Sequence, residues 1–264
     1  MYPVISRRAG GVSIGINLNP NNACNWRCIY CQVPNLKRGA APRINLDRLD
    51  TELRYFLREI IHGDFMEQHV PPEARKIRDI ALSGNGEPTS AKEFEQVIDL
   101  IGAAMKDFDL PDDIKLVLIT NGSLVFRSAV QAGIGKMSQL NCEVWFKFDR
   151  ASTAERQRVN NSRISLDKIR NHLRIAAPLC STWIQTCVFQ INGEPPSDTE
   201  VRAYLQFLSS LIAERIPVQG VLLYGIARPS LQPEAPELSR VCPPWLTTLR
   251  EKIQVLGLSV RLNP

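Results

Sequence analysis

The 264-residue sequence has no apolar run approaching the roughly 20 residues that cross a bilayer, and its opening Met1-Tyr2-Pro3-Val4 carries no charged segment leading into an apolar one. The expectation is a chain without membrane span or export signal, at home in the cytoplasm. Internal repeats, low-complexity tracts and a convincing linker are also missing, so residues 1–264 read as a single domain. Ser230 to Pro244 is the most linker-like piece, but too little chain follows it for a second domain. Histidine is scarce: His62, His69 and His172 fall on or beside predicted helices, as surface or core residues. A disulfide framework is not expected from seven cysteines of which three are crowded together. Charge is nearly balanced, with 32 basic against 27 acidic residues. The net +5 suits an anionic partner but lacks the dense stripe of a dedicated nucleic-acid binder.

What the sequence does contain is a regular alternation of strand and helix. Ser13 to Leu18 alternates as a short strand and is stopped by Asn19-Pro20-Asn21-Asn22. Leu49, Leu53, Phe56, Leu57, Ile60 and Ile61 then form one helix face with Gly63 as its C-cap. His62 to Pro72 reads as a loop. Strands follow at Ile77 to Leu82, Ile114 to Ile119, Glu143 to Phe148, Thr182 to Gln190 and Val218 to Tyr224, with Leu258 to Arg261 as a short edge strand. Helices are expected over Phe94 to Met105, Leu124 to Gln131, Ser165 to Ala177, Val201 to Ile212 and Trp245 to Leu256. Ser90/Glu93 and Ser197/Glu200 have the spacing of capping boxes. Six strand-helix units imply parallel strands joined by right-handed crossovers. They are too few for a closed eight-stranded barrel, and an open, curved six-stranded partial barrel fits better than a flat doubly wound sheet.

In such folds functional groups gather at the carboxyl ends of the strands. The unusual local sequences fall there: Cys24-Asn25-Trp26-Arg27-Cys28-Ile29-Tyr30-Cys31, Gly86-Glu87-Pro88, Thr120-Asn121, Lys147 and Asp149, Gln190 and Asn192, and Gly225 to Arg228. Three thiolates so close together converge on one soft metal centre but are too few to close a four-cysteine site. Gln32-Val33-Pro34-Asn35 supplies no fourth cysteine. The readings are a remote fourth ligand, a coordination position left open for chemistry, or three structural cysteines in a loop. Structural zinc sites usually have two separated ligand pairs, and no second pair is present.

The Cys24-x3-Cys28-x2-Cys31 motif, with Tyr30 before its last cysteine, resembles the signature of the radical S-adenosylmethionine (SAM) enzymes. The resemblance implies a 4Fe–4S cluster on Cys24, Cys28 and Cys31 whose fourth iron binds SAM. Reductive cleavage of SAM then yields a 5′-deoxyadenosyl radical for substrate hydrogen abstraction. Gly86-Glu87-Pro88 is similar to the family's Gly-Gly-Glu-Pro element, with Asn85 in place of its first glycine. By the same resemblance Gly86, Glu87, Asn121, Lys147, Asp149 and Ile226 are the SAM contacts. Asn121, Lys147 and Asp149 would meet its carboxylate or ribose, and Gly225-Ile226-Ala227 its adenine. Lys147, between Phe146 and Phe148, needs a partner if buried: the SAM carboxylate or Asp149. Gln185 and Gln190 either face the barrel interior as polar contacts or are simply exposed. Trp26 and Tyr30 shield the cluster, and Cys142, Cys180, Cys187 and Cys242 read as small buried hydrophobes, with Cys187 placed to face the cavity.

Ser6-Arg7-Arg8, Ser13 to Leu18, Ser83 to Thr89 and Ile119-Thr120-Asn121-Gly122-Ser123 resemble the group related to the tRNA wybutosine-synthesising enzymes. An N-terminal cysteine set for that archetype's second cluster is not evident. The resemblance implies a radical SAM enzyme supplied with electrons by a reductant such as flavodoxin or ferredoxin. Its substrate would be RNA or a protein segment entering the open side of the barrel. A protein-modifying activase or maturase, and a non-catalytic iron–sulfur electron carrier, are the alternatives.

Overall fold

The computed structural model of the chain describes residues 1–6 and 10–263. Arg7 and Arg8 of the Ser6-Arg7-Arg8 element lie outside the described residues. Strands β1 (Tyr2–Ser6), β2 (Gly11–Ile16), β3 (Ile77–Leu82), β4 (Lys115–Thr120), β5 (Cys142–Lys147), β6 (Thr182–Val188), β7 (Val218–Gly225) and β8 (Ser259–Asn263) stand in that order in one eight-stranded sheet. Only β1 and β2 pair antiparallel; every other neighbouring pair is parallel.

Strand order that never doubles back requires crossovers of one sense, which keeps the helices on one face and curls the sheet around the other. A doubly wound sheet would reverse its order at a switch point. The partial barrel expected from the alternation is therefore present, extended at both edges. The edge strand β8 pairs with β7, and β1 adds a strand that the alternation did not reveal. Pro3 is tolerated there because an edge strand has one side free of ladder bonds.

Helices α1 (Leu46–Ile61), α2 (Phe94–Asp107), α3 (Ser128–Met137), α4 (Thr153–Asn160), α5 (Leu166–Ala176), α6 (Asp198–Ala213) and α7 (Pro243–Val255) cover the outer face. Their apolar stripes, among them Leu53, Leu57, Phe94, Val97, Ile98, Ile101, Leu173 and Leu208, pack on Ile14, Ile80, Leu118, Val144, Ile184 and Val221 of the strands in one core. Each such side chain contributes about 1.5–3 kcal/mol on burial. β2 and β6 are buried along their whole length, as strands covered on both faces must be.

Several local expectations are corrected. The stretch read as a loop from His62 to Pro72 holds a short helix, Phe65–His69, and leads into a 3-10 turn at Pro72–Ala74. α3 begins at Ser128, not near Leu124. α4 was not expected because Thr153–Asn160 has little amphipathic pattern; of its residues Arg156, Val159 and Asn160 are buried. Ser90 and Glu93 do not form a capping box: Glu93 is itself the N-cap residue of α2, without a side-chain cap. Their side chains instead accept from Ala41 N and Ile44 N at 2.8 and 3.2 Å, tying down the chain after the cysteine loop. Ser197 does cap α6 through Glu200 N at 3.2 Å, while the Glu200 carboxylate turns away to accept from the Ala151 and Ser152 amides. Cys142 and Cys180 are joined in a disulfide rather than standing as separate thiols. The parallel register that sets Val144 opposite Thr182 places these cysteines opposite each other at the amino ends of β5 and β6.

Gly220, at φ +148°, lets β8 approach: a Cβ there would run into the Ser259 carbonyl and the Trp183 ring. Gly220→Val is expected to cost at least about 1–3 kcal/mol through this overpacking. Thermal unfolding should register the loss, and limited proteolysis should cut first at β8.

Candidate active site

Residues beyond β2 turn across the carboxyl ends of the strands, where Ala23–Cys24 and Lys37–Arg38 pair as a two-residue ladder that closes the cysteine loop at its base. Cys24, Cys28 and Cys31 are free thiols and all line one cavity of about 380 Å³. Gly86, Glu87, Asn121, Lys147 and Ile226, proposed from the sequence as cofactor contacts, line the same cavity, with Tyr30, Gln185, Cys187 and Tyr224. Asp149 does not border it, and Gln190 instead accepts from Ser239 at 2.8 Å outside the barrel. Trp26 and Tyr30 line the same cavity as the cysteines.

Three free cysteines on one cavity are a donor set that a four-iron cluster accepts. Among the described residues no three His, Cys, Asp or Glu side chains converge tightly enough to hold one metal ion. A four-iron cluster takes one thiolate per iron and so needs its cysteines further apart than the ligands of one ion. Two sulfurs already receive N–H donors, Cys24 from Trp26 N at 3.4 Å and Cys28 from Asn160 Nδ2 at 3.3 Å. Such bonds favour bound thiolates and tune a cluster's potential. Burial, opposed in part by the Trp26 N–H, pushes the Cys24 thiol up to about 12. Burial, with Lys147 pulling the other way, takes Cys28 to about 11. Both are thus protonated thiols near neutral pH, and a metal that bound them would have to displace those protons.

Glu87 is buried, and its carboxylate joins two strand ends. Oε1 accepts from Thr120 Oγ1 at 2.6 Å and Thr89 Oγ1 at 2.5 Å, while Oε2 accepts from Asn121 N at 2.7 Å. Burial nonetheless raises its pKa, the hydrogen bonds from Thr120 and Thr89 working against that rise. From this turn Ser83, Gly84, Gly86 and Glu87 line the cavity. Gly84 has φ +126°, and a Cβ on Gly86 would collide with the Ala23 carbonyl and the Asn19 amide. The glycine therefore allows the β3 turn and the cysteine loop to touch. Asn121 is held by its own turn and donates from Nδ2 to Asn25 Oδ1 at 2.8 Å, a second link to that loop.

Asp149 is a fastener. Its carboxylate accepts from Tyr30 OH at 2.5 Å, Asn160 Nδ2 at 2.7 Å and Cys187 N at 2.8 Å, so it binds the cysteine loop, α4 and β6 together. Lys147 donates to the same Tyr30 hydroxyl at 2.8 Å and to Tyr224 OH at 3.2 Å. The lysine is thus joined to Asp149 through a phenol rather than directly. Burial works against its charge, yet Asp149 and then Tyr224 outweigh that and leave the ammonium well above the usual lysine range.

The remaining supports of the loop were not legible as functional. Arg27 N and Ile29 N donate to Asn160 O and Val159 O at 3.2 and 2.9 Å, at the end of the unexpected α4. The segment that reads as a linker, Ser230 onward, clamps the other side. Ser230 Oγ donates to Ile29 O at 2.7 Å, Leu231 N to Cys31 O at 2.9 Å and Gln232 Nε2 to Val33 O at 2.9 Å. Glu234 takes both ends of the Arg27 guanidinium, at 2.5 and 2.9 Å. Polar side chains in a Pro-rich run carry no periodic signal, so only the three-dimensional contact reveals them.

Tyr30→Phe removes the hydroxyl shared by Lys147 and Asp149 and takes one hydrogen-bond partner from each of these buried charges, an expected loss of about 1–3 kcal/mol. The unfolding temperature should fall by roughly 2–4 °C per kcal/mol for a chain of this size. Gly86→Ala should displace the Ala23 segment and lower iron content after cluster reconstitution, read as iron per chain against wild type.

No family model matches the chain. It is 30% identical to a protein named GTPase Obg from Brachyspira hyodysenteriae over 50% of the chain and 17% of that protein. It is 30% identical to a UPF0026 protein of Methanocaldococcus jannaschii over 56% of the chain and 43% of that protein. A UPF0026 protein of Helicobacter pylori is 24% identical over 90% of the chain and 68% of its own length. The chain thus spans less than half the length of the first two relatives. Among solved structures it is similar to a radical SAM methyltransferase from Sphaerobacter thermophilus, with TM-score 0.61, 10% identity, and 98% of this chain and 67% of that one covered. Streptococcus suis SuiB, solved with its precursor peptide SuiA, gives TM-score 0.62 at 10% identity over 97% of this chain and 49% of that one. An archaeal TYW1 gives 0.52 at 16% identity over 91% of this chain and 71% of that one. In its cysteine motif the chain resembles the radical SAM enzymes, and it has their fold.

Proposed function

We propose that this chain is a radical SAM enzyme in which Cys24, Cys28 and Cys31 carry a 4Fe–4S cluster. Gly86, Asn121, Lys147 and Ile226 would meet bound SAM. The observation that carries this reading is the convergence of three free cysteines and the turns after β3, β4, β5 and β7 on a single cavity. When bound, cluster and cofactor together supply reductive cleavage of SAM to methionine and a 5′-deoxyadenosyl radical. The chain's own residues position and enclose. Gly84 and Gly86 border the cavity and offer backbone to a ligand, and Lys147 offers a fixed positive charge to a carboxylate. Glu87 and Asp149 act at one remove, holding the turns and the loop to which those contacts belong. Trp26 and Tyr30 keep solvent from the sulfurs.

RNA is the favoured substrate class. The net charge of +5 supports it, as does the sequence resemblance to the wybutosine-related group. A protein or peptide substrate, modified by a maturase or activase, is favoured by one likeness: SuiB was solved with a precursor peptide. Residues 1–264 would form one catalytic core, supplied with electrons by a flavodoxin- or ferredoxin-type reductant. Among the described residues no helix is long and apolar enough to cross a membrane.

Reconstituted, reduced protein incubated with SAM should release 5′-deoxyadenosine, measured by chromatography. Cys28→Ala should abolish release to background. Wild type that holds an intact cluster yet releases none would exclude the proposed chemistry.

A further inference from the structure

One polar group in the cavity wall is unaccounted for by the cluster, the cofactor contacts or the fasteners. Gln185 is 3% exposed, and its Oε1 has no hydrogen-bond partner among the described residues. It lines the cavity from β6, on the same strand face as Cys187 two residues further on. Cys187 is level with Tyr224 of β7, so Gln185 lies about 7 Å deeper in the barrel than that layer. The other polar groups of this wall are engaged: Lys147, its register partner on β5, with Tyr30 and Tyr224, and the Cys187 thiol with Tyr224. A buried carbonyl oxygen left without a donor is costly and calls for a reason. A leucine or methionine would fill the same space without that cost.

We infer that Gln185 is a substrate-positioning residue: its side-chain amide, at the floor of the cavity, pairs with an amide-type edge of the substrate. An N–H of the substrate meets Oε1, and an adjacent acceptor meets Nε2. This rests on the proposed reading of the cavity as a chamber for cofactor and substrate. Gly86, Asn121 and Ile226 follow the ends of their strands, whereas Gln185 sits beside Lys147 within the barrel, where it would face the molecule that is attacked. A lone carboxylate or phosphate is disfavoured because it would set lone pairs against Oε1. A purely apolar group would leave Oε1 as unpaired as before. The complementary edge is that of a primary amide, a lactam or a base ring, with N–H and acceptor side by side.

The test uses reconstituted protein with SAM and no reductant, so that nothing turns over. Thermal unfolding is followed with uridine, with 3-methyluridine, which lacks the ring N–H, and with N-acetylglycinamide, for wild type, Gln185→Leu and Gln185→Met. Without probe, at least one variant should unfold at least about 2 °C above wild type, because an unpaired buried polar group has been removed. Uridine or N-acetylglycinamide should raise the unfolding temperature of wild type, 3-methyluridine should not match uridine, and both variants should lose the rise. A response to uridine assigns the edge to a base, and a response to N-acetylglycinamide alone assigns it to a peptide. Destabilised variants would make Gln185 structural and overturn the inference. So would a probe response equal in wild type and variants, or none with either amide. Release of 5′-deoxyadenosine by the same wild-type preparation, once reduced, separates the two levels. None would sink the underlying reading, whereas release together with an unchanged probe response in the variants sinks the inference alone.

Discussion

The arrangement of the cavity depends on one buried carboxylate. Asp149 takes three donors, from Tyr30 in the cysteine loop, Asn160 at the end of α4 and the backbone of Cys187 in β6. These groups lie far apart in sequence, and each would be a costly orphan without the others. Asn160 in turn donates to the Cys28 sulfur, and Tyr30 receives Lys147. The position of Cys28, the charge in the cavity wall and the strand beneath it are thus set by the same interaction.

Glu87 has the corresponding role on the opposite side of the cavity. By accepting from Thr120 and the Asn121 amide it locks the ends of β3 and β4 together, and Asn121 carries the connection on to Asn25. Two buried carboxylates therefore hold the loop from two sides, while Ser230, Gln232 and Glu234 close a third. The cysteine loop anchors Ile29 and Tyr30 in a small apolar cluster with Val159, Cys187 and Phe189. Its backbone is held besides by polar contacts from distant elements, as a metal site would need if its ligands were to stand ready before metal arrives.

The strands and amphipathic helices were legible because burial on one or both faces leaves a period in the sequence. The cavity-lining residues Gly86, Glu87, Asn121, Lys147 and Ile226 were legible because each ends a strand in a fold that uses those ends. Asp149 was picked out by the same rule. That rule finds the rim but cannot tell a side chain aimed into the cavity from one turned under the loop. α4 escaped because its eight residues bury Arg156 and Asn160 rather than an apolar stripe. Ser230 to Pro244 read as a linker because prolines and isolated polar residues resemble solvated chain. Their partners are main-chain oxygens some 200 positions away, and no local pattern encodes such a contact. The Cys142–Cys180 pair escaped for the same reason: parallel register, not spacing, brings the two together.

In the proposed enzyme three cysteines would hold a cluster that keeps one iron open to SAM. The most direct measurement is the electron paramagnetic resonance spectrum of the reconstituted, reduced protein with and without SAM. SAM should change the cluster signal of wild type, and Cys24→Ala, Cys28→Ala or Cys31→Ala should remove the signal. A wild-type signal that SAM leaves unchanged would mean that every iron is already saturated, and would contradict the account.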